Sequence, residues 1–85
     1  MEPDPRALAL IDFIVRHVLR SPALHIDPDT PLLSTGVLDS FALVEVLHEL
    51  ERVAGRRIPA GRVSPDDFET VRLMLAAAER VGLPS

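Results

Sequence analysis

The 85-residue sequence has no cysteine, no tryptophan and no tyrosine. Without cysteine it can form neither a disulfide framework nor a thiolate metal site. Three phenylalanines make no stacking platform for nucleic-acid bases. Lysine is missing as well: all nine basic residues are Arg, a pattern we read as codon bias in a GC-rich genome and not as a site. Set against 13 acidic residues, they leave a net charge of −4. Phosphate backbones call for a basic face, so nucleic acid is not an expected partner. No apolar run approaches the ~20 residues that cross a bilayer. The start, Met1-Glu2-Pro3-Asp4-Pro5, is acidic and proline-rich and lacks the layout of a secretory signal. The expectation is a soluble, cytoplasmic protein with neither nucleic acid nor membrane as partner.

What is present suits one small domain over residues 1–85. The apolar fraction of 47% is that of a globular chain, with room for a single modest core. There is no strand-like alternation, repeat or low-complexity tract. The periodicities predict an all-α fold, a small four-helix bundle of three long helices and one short one, at about residues 5–20, 40–54, 65–68 and 71–81.

Asp4 as N-cap and Pro5 at the first helical position announce the first helix. Its buried face is Ala7, Leu10, Ile11, Ile14, Val15 and Val18, at the spacing of one helical stripe. Arg16 and Arg20 fall in its last turns, where cations suit the helix dipole, and Ser21-Pro22 ends it. Residues 21–38, "SPALHIDPDTPLLSTGVL", contain too many prolines and turn signals to be helical. A loop this long in so small a domain is either packed down or functional. Leu24, Ile26, Leu32, Leu33, Val37 and Leu38 are expected to pin it across the bundle.

The second helix starts at Asp39 or Ser40, runs to Ala54 and stops at Gly55. "SPDDF" signals a short third helix, with Ser64 as cap, Pro65 at its first position and Phe68 as anchor. Thr70 caps the fourth, with Val71, Leu75, Ala78 and Val81 inward and Gly82 at its end.

The second helix carries the sharpest signal. Its expected core stripe is Leu43, Val46, Leu47, Leu50 and Ala54. Phe41, Val44, Glu45, His48 and Arg52 fall on a different face. Phe41 and Val44 are therefore an apolar pair off the core, and an exposed apolar spot suits partner docking; the plainer reading is that the long loop covers them. From Asp39 to Ala54 stand Asp39, Glu45, Glu49 and Glu51 against Arg52 alone. Four acids against one base describe an acidic recognition helix for basic enzymes. Asp39-Ser40 could be no more than a helix cap.

Leu38-Asp39-Ser40-Phe41, preceded by Gly36 and followed by Leu43, Val44 and Glu45, resembles the attachment motif of the acyl and peptidyl carrier protein family. The likeness extends through "DTPLLSTGVLDS", Gly55, Ile58 and "SPDDFETV", and covers roughly residues 7–82. It implies that Ser40 Oγ receives 4′-phosphopantetheine from coenzyme A, through a separate phosphopantetheinyl transferase acting with magnesium. The terminal thiol of that arm holds an acyl or aminoacyl group as a thioester, so a chain without cysteine can still handle thioester chemistry. A helix start favours a phosphodiester through its free N–H groups and dipole. Asp39 opposes that, and the resemblance assigns it to recognition by the transferase. The implied partner-binding residues are Phe41, Val44, Glu45, His48 and Glu49. Implied partners are an adenylating enzyme that activates an acid or amino acid, then acyltransferase, condensing or tailoring enzymes.

Phe41 stands where fatty-acid members of the family usually carry Leu. Residues 55–64 contain Arg56, Arg57 and Arg62 and no acid, where the fatty-acid members are acidic. Both features point to a carrier in specialised biosynthesis, of the polyketide, nonribosomal peptide or antibiotic type. The start at Met1 and the compact ends lead us to expect a free-standing protein, and a carrier that meets several enzymes in turn is expected to be a monomer. The alternatives are a housekeeping fatty-acid carrier and an unmodified interaction module that docks through the second helix. Catalysis by the chain itself is not expected. Ser40 and His48 lie eight residues apart on one helix, about 12 Å along its axis, too far for a nucleophile and its base. His17, His25 and His48 are too scattered for a metal site.

Overall fold

The computed structural model of the protein describes residues 4–21 and 25–84. Three α-helices make its frame: α1 (Pro5–Phe13), α2 (Ser40–Ala54) and α3 (Val71–Val81). Single 3-10 turns cover Ala60–Arg62 and Pro65–Phe68. The expected third helix is thus one 3-10 turn, consistent with its four residues.

Asp4 caps α1 as expected, its carboxylate accepting the Arg6 N–H at 2.9 Å. Beyond Phe13 the helix does not continue as an α-helix to residue 20. It widens into a π-turn over Ile14–Val18, with the Leu19 N–H reaching back to the Ile14 carbonyl at 2.8 Å. Arg20 then turns left-handed at φ 54°, and the Ser21 N–H reaches the Val15 carbonyl at 2.9 Å. Pro22, the expected stop, and Leu24, an expected loop anchor, lie outside the described residues.

The core is entirely apolar: among the described residues no polar or charged residue is buried. Leu10 and Ile14 from the first helix, Val46 and Leu50 from α2, and Val71 and Met74 from α3 are sealed from solvent. Leu32 joins them from the long loop. Ile26 and Leu38 are buried too, with Leu33 and Val37 half-buried against the core. Apolar side chains therefore pack the loop down, as a loop of this length requires. On α2 the buried row is Ala42, Val46 and Leu50, while Leu43, Leu47 and Ala54 are half-buried around it. The observed stripe follows one i, i+4 row, and the small Ala42 is the member that a hydropathy reading overlooks.

α2 ends as predicted: Gly55 takes φ 67° and gives its N–H to the Glu51 carbonyl at 2.9 Å. Gly82 ends α3 differently. Its backbone is extended, at φ −66°, so left-handed freedom is not what it supplies. A Cβ there would overlap the Ala78 carbonyl oxygen and come within 2.7 Å of Arg56 Cδ. That contact belongs to a two-residue antiparallel ladder, β1 (Arg56–Arg57) against β2 (Leu83–Pro84). The ladder was not foreseen, being too short to carry an alternating pattern.

Candidate functional site

Which residue caps α2 decides what Ser40 is free to do. Asp39 has an extended backbone, its carboxylate accepts the Ala42 N–H at 2.9 Å, and its carbonyl accepts the Leu43 N–H at 3.0 Å. Asp39 is therefore the cap and Ser40 the first helical residue. Ser40 is exposed, and its hydroxyl makes no hydrogen bond among the described residues. The N–H groups of Ser40 and Phe41 also lack an acceptor there, so the tip of α2 presents the unpaired donors and dipole end that favour an anion.

The approach to Ser40 is held by a residue to which the sequence reading gave no role. The carboxylate of Glu69 accepts the N–H groups of Leu32, Leu33 and Ser34 at 2.9–3.1 Å. It also accepts the Ser34 hydroxyl at 3.1 Å. These bonds, led by the Ser34 N–H, hold the Glu69 carboxyl below the usual carboxylate range. The Leu38 N–H then closes onto the Leu32 carbonyl at 3.0 Å, and Gly36 makes the reversal at φ 77°. A second clamp joins Arg72 to Asp29, at 2.6 and 3.0 Å. The sequence shows only that the N–H groups of "PLLS" need acceptors; it does not say that Glu69, 35 residues on from Ser34, supplies them.

Phe41 and Val44 stand in solvent, 87% and 56% exposed, so the long loop does not cover them. Glu45 and His48 are exposed beside them. The acidic face is smaller than the sequence suggests. Asp39 is committed to Ala42, and the Glu51 carboxylate accepts the Ile58 N–H at 2.8 Å. Glu49 is ion-paired with Arg52 and has only 12% of its side chain exposed. It turns towards the first helix and contributes little to an outward surface. Glu45 is the one α2 carboxylate without a partner among the described residues.

The three histidines are exposed and scattered. His17 stacks on Phe13, with ring centres 5.3 Å apart. Among the described residues no group of His, Asp and Glu is arranged to hold a metal ion. Beside Ser40, Asp39 and Phe41 form one wall of a shallow cleft whose other wall is the end of the first helix, from His17 to Arg20. Four successive residues of an α-helix spread over most of its circumference. The widened turn and left-handed Arg20 bring these four to one side.

A family model described as a phosphopantetheine attachment site matches residues 9–78. No curated protein and no solved structure matches the chain.

Proposed function

From the premise that the chain belongs to the phosphopantetheine attachment-site family, whose members hold 4′-phosphopantetheine covalently, we propose that Ser40 is the attachment residue of a non-catalytic carrier protein. One observation carries this assignment. Asp39 does the capping, so Ser40 Oγ has no internal bond to give up and stands exposed beside unpaired N–H groups.

The residues present fit the group. In the modifying step Ser40 Oγ would give its proton to a base of the transferase or to water and bond to the pantetheine-side phosphorus of coenzyme A. The P–O–P anhydride would break and adenosine 3′,5′-bisphosphate would leave, under a transferase acting with magnesium. At the tip of α2 the N–H groups of Ser40 and Phe41 would favour the charge of a phosphodiester on Ser40. The arm supplies a thiol that holds acyl or aminoacyl cargo as a thioester. Asp39 keeps the tip wound and is the group a transferase would read. Phe41, Val44, Glu45 and His48 form the outward surface for enzymes that load and unload the arm. The exposed aromatic, together with exposed Arg57 and Arg62 after α2, whose guanidinium groups have no partner among the described residues, favours a specialised biosynthetic pathway over a fatty-acid role.

The test is an intact mass after incubation with coenzyme A and a broad-specificity transferase. The wild-type protein gains one phosphopantetheine increment and Ser40→Ala gains none. An unchanged wild-type mass with several transferases would sink the carrier reading. Offering the modified protein candidate acyl and aminoacyl adenylates, and weighing what stays, then identifies the cargo.

A further inference from the structure

Five of the nine arginines are held by carboxylates of their own chain. Arg6 pairs with Asp4 and Glu79, Arg16 with Asp12, Arg52 with Glu49, Arg72 with Asp29 and Arg80 with Asp67. The other four have no carboxylate partner among the described residues. Three of these, Arg56, Arg57 and Arg62, fall within seven residues just past α2.

Arg56 has a structural use. Its side chain packs over Gly82, its guanidinium donates to the Gly82 carbonyl at 3.5 Å, and its charge suits the C-terminal end of the α2 dipole. Arg57 and Arg62 have no such use. The Glu51 carboxylate, which reaches this segment, is committed to the Ile58 N–H at 2.8 Å. Exposed Asp66, four residues past Arg62, forms no ion pair with either among the described residues.

The two arginines stand on a fixed platform. Between them Ile58 is buried, and the Arg62 N–H closes a turn onto the Pro59 carbonyl at 2.9 Å. In the ladder Arg57 lies directly opposite Leu83, so the two side chains share a face, and Leu83 is 47% exposed. A held backbone thus offers two open guanidinium groups and an open apolar side chain.

We propose that Arg57, Arg62 and Leu83 dock a short acidic segment of a partner protein, its carboxylates on the guanidinium forks and an apolar residue on Leu83. Charge complementarity selects this occupant. A guanidinium presents paired donors that match a carboxylate, and no carboxylate among the described residues supplies one. A polyphosphate or an anionic membrane spreads its charge widely and meets the whole chain, whose net charge is −4. A short peptide meets only the charges within a Debye length, about 8 Å.

The surface is separate from Phe41 and Val44. The 15 residues of α2 carry the chain about 22 Å from Ser40, so a segment held here leaves the tip clear. Given the carrier reading of Ser40, on which this consequence rests, the segment acts as a tether that raises the effective concentration of the carrier at its enzyme.

The experiment titrates ¹⁵N-labelled protein with a short synthetic peptide, a leucine flanked by glutamates, and with its counterpart in which lysines replace the glutamates. The expected result is amide shifts centred on residues 56–63 and 83–84 with the glutamate peptide, weaker at high salt, and none with the lysine peptide. Arg57→Ala/Arg62→Ala should bind about tenfold more weakly, and Leu83→Ala several-fold more weakly. Arg62→Glu, outside the ladder, tests the same point without touching the pairing and should abolish the shifts. Absent shifts, shifts centred on other arginines, or full affinity in these variants overturn the proposal. Vesicles of anionic phospholipid that shift the same amides when the glutamate peptide does not overturn it in favour of a membrane surface. A protein that docks the peptide but gains no mass from coenzyme A and a transferase overturns the carrier reading and leaves the docking site standing.

Discussion

Glu69 receives both the backbone N–H and the hydroxyl of Ser34, 35 residues away, at 3.1–3.2 Å. The contact fastens the long loop to the start of α3 and so sets the height at which the chain delivers Ser40 to α2. Replacing Glu69 by Gln removes the charge and one acceptor. The melting temperature should fall, and the amides of residues 32–34 should exchange faster, with far-UV helicity unchanged.

The same carboxylate makes a pH dependence. Its pKa is lowered in the fold because it accepts N–H bonds from Ser34 and its neighbours. Its contribution is therefore complete above the unfolded value, ~4.3, and is lost as pH falls through the lower folded value. Urea midpoints of wild type and Glu69→Gln should differ at neutral pH and converge in acid below that range. A gap that stays constant across the range would show that the charge is not the source of the stabilisation.

The cap that Asp39 makes and the transferase recognition proposed for it can be separated. Asn caps as well as Asp, so Asp39→Asn should melt like wild type yet be modified more slowly. Asp39→Ala should lose ~0.5–2 kcal/mol of stability, the usual value of a cap, as well as the modification. An unchanged modification rate in Asp39→Asn would leave the residue a cap and nothing more.

Exposure separates function from folding on α2. Ser40→Ala and Phe41→Ala should each stay within ~0.5 kcal/mol of wild type, because neither side chain is packed. Leu50→Ala, in the sealed row, should cost ~2–5 kcal/mol. Phe41→Ala should still lower kcat/KM for loading about tenfold, or ~1.4 kcal/mol, as loss of an aromatic anchor does. A Phe41→Ala variant that melts far below wild type would place the ring in the core.

Two glycines should fail for different reasons. Gly55→Ala meets open space but keeps a positive φ, so it should lose only the ~1–2 kcal/mol of left-handed strain. Gly82→Ala drives a methyl into the Ala78 carbonyl and Arg56 and should cost ~1–3 kcal/mol. It should also loosen the ladder to residues 83–84, visible as faster exchange in β1.

Helix positions were legible because caps and stripes are local: Asp4, Gly55, Thr70 and the apolar rows each announce themselves within a turn. The exposed pair Phe41 and Val44 could be read from phase alone. What sequence could not supply were pairings across the chain. Nothing near Glu69 names Ser34, and nothing near Glu51 names Ile58, so acids that serve as staples look like free charge in the sequence. The cap was ambiguous for a similar reason. Asp and Ser are equally good caps, and only the backbone shows that Asp39 stands outside the helix. The π-turn at Ile14–Val18 changes hydrogen-bond spacing without changing composition, and it left no trace in the pattern.

Phe41 and Val44 finally bear on time as well as place. If the proposed docking buries these two side chains, they contribute about 3–6 kcal/mol before the costs of association. With Glu45 the one α2 carboxylate without a partner among the described residues, little electrostatic attraction is added. Such a contact forms readily and dissociates fast, since affinity is set mostly by the off-rate. Brief residence suits a protein that must leave each enzyme carrying what the next one needs.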